Sequence, residues 1–203
     1  MQTTAIQEER RRQILDAAVR AFAARGYHGC RVSDVAREAG VAYGLVYHYY
    51  GSKEALLDAI FRETWGAMLA TIKSVEELDE PSHDQVRKVT EIVLRTWRRD
   101  PDLVRVLVRE VTRSSQVQRE TDEIELAMQA LERIVEQGQA SGEFRSDLEA
   151  RLAATIWYGA LEELLTGWAF GQLPDADDDI ASAERVVVEL VAGGLAAERA
   201  APA

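Results

Sequence analysis

Apolar positions recur at three- and four-residue spacing along nearly the whole chain, and that period predicts helices. The first runs from about Ile6 to Ala24, with Ile14, Ala18 and Phe22 on its inner face. Val32, Val35 and Ala36 continue the period in a short second helix, which stops at Ala39-Gly40-Val41. A glycine there can take the positive φ of a sharp turn, and Val41 can plug the angle between two helices. A third short helix begins near Ala42-Tyr43, carries Tyr47, His48, Tyr49 and Tyr50, and breaks at Gly51-Ser52. Ser52 is a good N-cap for a fourth helix with Leu57, Phe61, Trp65, Met68 and Ile72 along one stripe.

Glu77 to Pro81, acidic and proline-containing, reads as a loop. A fifth helix carries Val86, Val93 and Trp97 and ends at Asp100-Pro101. Residues 103–111, LVRVLVREV, are apolar around most of the circumference, which predicts a short, largely buried helix. Their Leu-Val alternation also fits a strand, but a lone strand in a helical chain would lack a partner. A long helix from about Gln116 to Gln137 bears Val117, Ile124, Met128, Leu131 and Val135 and ends in the Gly138–Gly142 segment. Asp147 can cap the next helix, which holds Leu152, Ile156, Trp157, Leu161, Leu164, Leu165 and Trp168. Gly171 to Asp179 reads as a second acidic loop, before a last helix from about Ile180 to Ala197 presenting Val187, Leu190, Val191 and Leu195. The expectation is an all-α chain of about nine helices, a three-helix helix–turn–helix domain at 1–51 and a larger helical domain at 52–203.

At 203 residues the chain can bury a sizeable core. No apolar run approaches the roughly 18 residues of a membrane span. Met1 to Glu9 is polar, unlike a secretory signal. The single cysteine, Cys30, excludes an internal disulfide and points to a reducing compartment, so a cytoplasmic protein is expected. Three scattered histidines and one cysteine give no metal-ligand spacing, so no metal and no cofactor is expected. The net charge of −11 argues at first against a polyanionic partner, but its distribution reverses that. Residues 1–53 hold eight basic and five acidic groups, net +3, whereas the remainder holds 16 basic and 30 acidic groups, net −14. A DNA contact needs positive charge only at the phosphates.

Two short helices at a steep angle, the second rich in polar aromatics, suit a recognition helix laid into the major groove. Tyr43, Tyr47 and His48 have hydrogen-bonding tips that can reach phosphates or base edges. Gly44 lets the backbone approach closely, and Leu45 can meet thymine methyls or sugars. Ser33, the amides at the start of the second helix and Lys53 suit phosphate contacts. Tyr49 and Tyr50 are read mainly as core. Arg10-Arg11-Arg12 is either an arm reaching DNA or a solvated helix face beside Glu8 and Glu9.

The run from Ile14 to Leu57 resembles the DNA-binding domain of the TetR family of bacterial regulators. The likeness lies in Arg25-Gly26-Tyr27, Asp34-Val35-Ala36, Ala39-Gly40-Val41, Gly44, Tyr47-His48-Tyr49-Tyr50 and Ser52-Lys53-Glu54-Ala55-Leu56. It implies an all-helical homodimer on a palindromic operator, released by a small ligand held in the C-terminal domain, with backbone contacts at Tyr47, His48 and Lys53. Two positions depart from the usual pattern. Ala42 stands where many relatives have Ser or Thr, losing a cap of about 1 kcal/mol, and Leu45 stands where a threonine hydroxyl would bind phosphate. Ala42 is nonetheless carried as part of the reading head. A further likeness, from Glu136-Gln137-Gly138 through Ser141-Gly142-Glu143-Phe144 to Leu152-Ala153, Gly159, Glu162 and Trp168, is to the fatty-acid-metabolism repressors called FadR. It implies long-chain acyl-coenzyme A as effector.

Trp65, Met68, Trp97, Leu107, Met128, Leu131, Trp157, Tyr158 and Leu161 are the candidate ligand-lining residues, and plain core is their alternative. Arg109, beside Arg105 and Glu110, either snorkels to water, pairs locally or meets a polar ligand head. Leu161, Leu165, Val187, Val191 and Leu195, with Gly194, form the expected dimer stripe, the alternative being packing within the chain. Dimerisation would space half-sites by roughly 34–36 Å. Ligand-released repressor is the leading function. A TetR-type regulator of efflux or another pathway, with a different aromatic or hydrophobic ligand, is the alternative. An architectural DNA protein and an activator stay open, whereas an enzyme is not expected, because no partnered nucleophile, metal set or phosphate loop appears.

Overall fold

In the computed structural model, which describes residues 2–111 and 121–197, the helical period becomes nine α-helices among the described residues and no strand. They are α1 (Gln2–Arg25), α2 (Val32–Glu38), α3 (Tyr43–Tyr50), α4 (Lys53–Glu76), α5 (Ser82–Arg99), α6 (Pro101–Val111), α7 (Thr121–Ser141), α8 (Ala150–Ala169) and α9 (Asp177–Leu195). Residues 116–120 of the expected long helix, with Val117, lie outside the described residues. The described chain forms two compact units. One holds α1, α2, α3, α4 as far as Thr64, and α6; the other holds α4 from Trp65, α5, α7, α8 and α9.

In the first unit α1 packs on α2 and α6, burying Ile14, Ala18 and Phe22 as their i, i+4, i+8 spacing requires. The α2–α3 turn depends on Gly40 at φ 65°. The Val41 N–H donates to the Ala36 carbonyl at 3.0 Å, and Gln13 Nε2 of α1 donates to the Ala39 carbonyl at 2.7 Å. Gly51, at φ 74°, ends α3, and Ser52 Oγ then accepts the Ala55 N–H at 3.1 Å to cap α4. Asp100 caps α6 by accepting the Leu103 N–H at 2.9 Å, with Pro101 at the first helical position. The expectation that α6 is largely buried is corrected. Val104, Val106 and Glu110 are buried while Leu103, Arg105, Leu107, Val108 and Arg109 are half-buried, with Arg105 paired to Asp102 at 3.0 Å.

The second unit is built around Trp157, fully buried, whose indole N–H donates to Thr90 Oγ1 at 3.0 Å and ties α8 to α5. Arg95 pairs with Glu184 at 3.1 Å and Arg98 with Asp177 at 2.8 Å, joining α5 to α9. Three boundaries differ from expectation. Glu149, not Asp147, caps α8 through the Arg151 and Leu152 amides, because Glu149 has the extended backbone of a cap while Asp147 is held by Arg145. α9 starts at Asp177, inside the expected acidic loop, where Asp179 accepts the Ala176 N–H at 3.2 Å. α7 continues through Gly138 and ends before Gly142, at φ 81°.

Gly138 is helical for a packing reason. The buried Phe144 ring lies across it, and a methyl group at 138 would run into that ring. The α7–α8 connection is also stitched to the end of α9, with Arg145 N–H donating to the Leu195 carbonyl at 2.8 Å. Gly138→Ala should therefore destabilise by about 1–3 kcal/mol, read as a lower urea midpoint with an unchanged slope; a midpoint equal to the parent's would contradict this packing.

Candidate functional site

α3 presents one open face. Tyr43 is 51% and Tyr47 42% exposed, their ring centroids 4.8 Å apart, and Gly44 and His48 lie beside them in solvent. Val46, on the opposite side, is buried. Leu45 is half-buried, and Ala42 sits at the N-cap without any side-chain bond. Space above Gly44 is open, so the protein itself does not demand glycine there. Ser33 is exposed on α2. Tyr49 and Tyr50 are half-buried; Tyr50 donates to the Arg11 carbonyl at 3.0 Å.

Most of the head's positive charge has local work. Asp34 accepts the Arg31 N–H at 2.9 Å, capping α2, and pairs with Arg37 at 3.0 Å and Arg25 at 3.3 Å. The backbone bond first, then the two guanidinium groups, hold its carboxyl below the usual carboxylate range. Arg20 pairs with Glu38, and Arg11 with Glu63. Lys53, expected at a phosphate, is half-buried: Nζ donates to the Tyr27 and Cys30 carbonyls at 2.9 and 3.2 Å and lies 4.3 Å from the Tyr27 ring centroid. Two of the three ammonium N–H donors thus anchor the loop after α1. Arg10, Arg12 and Arg31 remain exposed, without an ion-pair partner among the described residues.

The candidate ligand residues divide. Trp65, Met68, Trp97, Met128, Leu131, Trp157, Tyr158 and Leu161 belong to the second unit, while Leu107 and Arg109 belong to α6 of the first. Trp157 is a core residue, satisfied by Thr90, and Trp97 stacks at a tilt against Trp168, centroids 6.3 Å apart. The half-exposed Trp65 is different: its indole nitrogen is buried without a hydrogen-bond acceptor among the described residues. Burial, then Glu162, pushes the Tyr158 phenol up to about 12. The expected dimer stripe is corrected at Leu161, Val187 and Leu195 alone. Leu161, Val187 and Leu195 are buried inside the chain, with Leu165 and Val191 half-buried, whereas Leu152, Ile156, Val186 and Leu190 are exposed on α8 and α9. α8 is apolar on two sides, and the side carrying Leu161 packs against its own neighbours.

Comparison with known proteins decides the family. Residues 14–60 match the model of bacterial regulatory proteins of the tetR family, and residues 61–194 match that of the YsiA-like protein, C-terminal region. The chain belongs to the TetR family. This TetR-family chain is 29% identical over 185 residues to the fatty acid metabolism regulator protein of Bacillus subtilis, covering 90% of this chain and 94% of that one. FadR of Bacillus subtilis, solved in complex with stearoyl-CoA, superposes with a TM-score of 0.79 at 28% identity, covering 90% and 98% of the two chains. FadR of Bacillus halodurans gives 0.78 at 28%, covering 92% and 96%. The protein is a DNA-binding transcriptional regulator and not an enzyme, as its family and relatives are. No helix among the described residues is long and apolar enough to cross a membrane.

Asp34 gives this TetR head a pH signature. With its folded pKa below the unfolded value of about 3.9, its contribution is present above that pH and lost as pH falls through the folded value. Asp34→Ala should lower the melting temperature at neutral pH, and the difference from the parent should narrow below about pH 3.9. A difference independent of pH would contradict the assignment.

Proposed function

We propose that this protein is a cytoplasmic repressor of fatty-acid metabolism genes, binding a palindromic operator as a homodimer and leaving it when long-chain acyl-coenzyme A occupies the C-terminal domain. One observation carries the reading: similarity to the stearoyl-CoA-bound relative runs through the C-terminal region as well as the reading head. An efflux regulator with an unrelated ligand would share mainly the head. The indole N–H of Trp65, buried without an acceptor among the described residues, supports a ligand group carrying an acceptor.

Tyr43, Tyr47 and His48, with Ser33, Ala42, Gly44 and Leu45 around them, are the proposed operator contacts. Arg10, Arg12 and Arg31 supply the uncommitted charge at the phosphates. Leu152, Ile156, Val186 and Leu190, with the half-buried Leu165 and Val191, are the proposed dimer face, in place of the buried Leu161, Val187 and Leu195, since an isologous interface needs apolar residues that its own chain leaves uncovered. Acyl-coenzyme A can release DNA only through different affinities for the two states.

Three measurements test this. Stearoyl-CoA at micromolar concentration should weaken operator binding, followed by fluorescence anisotropy, by about tenfold or more, a coupling of about 1.4 kcal/mol; no weakening would overturn the effector. Tyr47→Ala should lower operator affinity about tenfold, the loss of a contact worth 1–3 kcal/mol, without changing the melting temperature. Ile156→Lys should sediment as a monomer with weakened operator binding, and a dimeric variant would refute the interface.

A further inference from the structure

The first half of α1 holds α3 at both ends. Gln13 Nε2 donates to the Ala39 carbonyl at 2.7 Å, in the turn that leads into α3, and Tyr50 Oη, in its last turn, donates to the Arg11 carbonyl at 3.0 Å. The Arg11 side chain adds two further contacts. Its guanidinium carbon lies 5.8 Å from the centroid of the half-buried Tyr50 ring, and Nη2 meets Glu63 Oε1 of α4 at 3.1 Å. One residue of α1 thereby touches the end of α3 and α4 together, and all three residues lie in the first unit.

Two properties of this arrangement set its role. The Arg11 and Glu63 side chains are 45% and 49% exposed, so their attraction is screened and adds little to the stability of the fold. The pair also acts on the end of α3 that is held least by burial. Val46 is the buried residue of that helix, whereas Tyr49 and Tyr50 after it are only half-buried. An eight-residue helix tilts as one piece, so a shift of its last turn carries Tyr47 and His48 with it. A side chain reads a groove only when the helix beneath it is held in place. Charge alone would group Arg11 with Arg10 and Arg12 as a phosphate ligand, but Arg11 is the one of the three that meets both α3 and a carboxylate.

We propose that Arg11, held by Glu63, is a positioning residue of the reading head, setting the tilt of α3 instead of touching a phosphate. The inference rests on α3 being the helix that reads the operator.

The two roles differ in sign at Glu63. Glu63→Gln removes a negative charge from the head, and a phosphate-binding Arg11 released from its partner would then hold DNA more tightly. The positioning role predicts weaker binding. The full chain is titrated with the duplex that it selects from a random-sequence pool, at several salt concentrations. Arg11→Ala and Glu63→Gln should each lower affinity about threefold, as an exposed pair allows. The double variant should lose no more than either single one, and the slope of affinity against salt should stay at the parent's value. Arg11→Lys, which can still pair with Glu63, should recover most of the affinity, and melting temperatures should move by less than about 2 °C. Tighter binding by Glu63→Gln, additive losses in the double variant, or a salt slope reduced by about one in Arg11→Ala would each overturn the proposal. Tyr47→Ala checks the underlying reading separately: unchanged affinity there would take α3 off the operator and overturn both.

Discussion

The reading head depends on how sharply the chain turns between α2 and α3. Gly40 supplies a backbone conformation that a side chain would strain, at φ 65°. The turn is then held from outside, because Gln13 of α1 donates to the Ala39 carbonyl and Val41 closes back onto Ala36. With that angle set, burying Val46 necessarily turns Tyr43, Tyr47 and His48 to solvent. Asp34 and Lys53 act around the same frame. One caps α2 and collects two arginines, and the other clamps the loop after α1 to the start of α4. Charge that looks available for phosphate is thus partly consumed in holding the head's shape.

The second unit rests on pairs distant in sequence. Trp157 meets Thr90, Arg95 meets Glu184, and Gly138 receives Phe144. Their burial makes α8 and α9 show two apolar sides, one spent on the chain's own core and one still open. The open side carries Leu190 at 72% and Ile156 at 70% exposure, more than an isolated surface residue needs to explain.

Much of this was legible in the amino-acid order because it is local. Helical spacing located every helix, and Gly40, Gly51 and Ser52 punctuated the head as their backbone preferences require. What was not legible is set by partners far along the chain. Leu161 and Ile156 look alike in a helical pattern, and only packing decides that the first is core and the second exposed. Glu149 and Asp147 are both acids before a helix, and the backbone bend at Glu149 chooses between them. Lys53 resembles a phosphate ligand, and the sequence order does not show that carbonyls more than twenty residues earlier take two of its ammonium donors. Gln85, polar inside an apolar stripe, could have signalled a buried amide, but not that the Glu76 and Leu78 carbonyls hold it.

Under the proposed function one dimer holds either operator or acyl-coenzyme A, and stays a dimer in both states. Native mass spectrometry of the protein with operator duplex and stearoyl-CoA tests it directly. Two species are predicted, two chains with duplex and no lipid, and two chains with lipid and no duplex. A dominant complex containing protein, duplex and stearoyl-CoA together, or a monomer carrying either ligand, would contradict it.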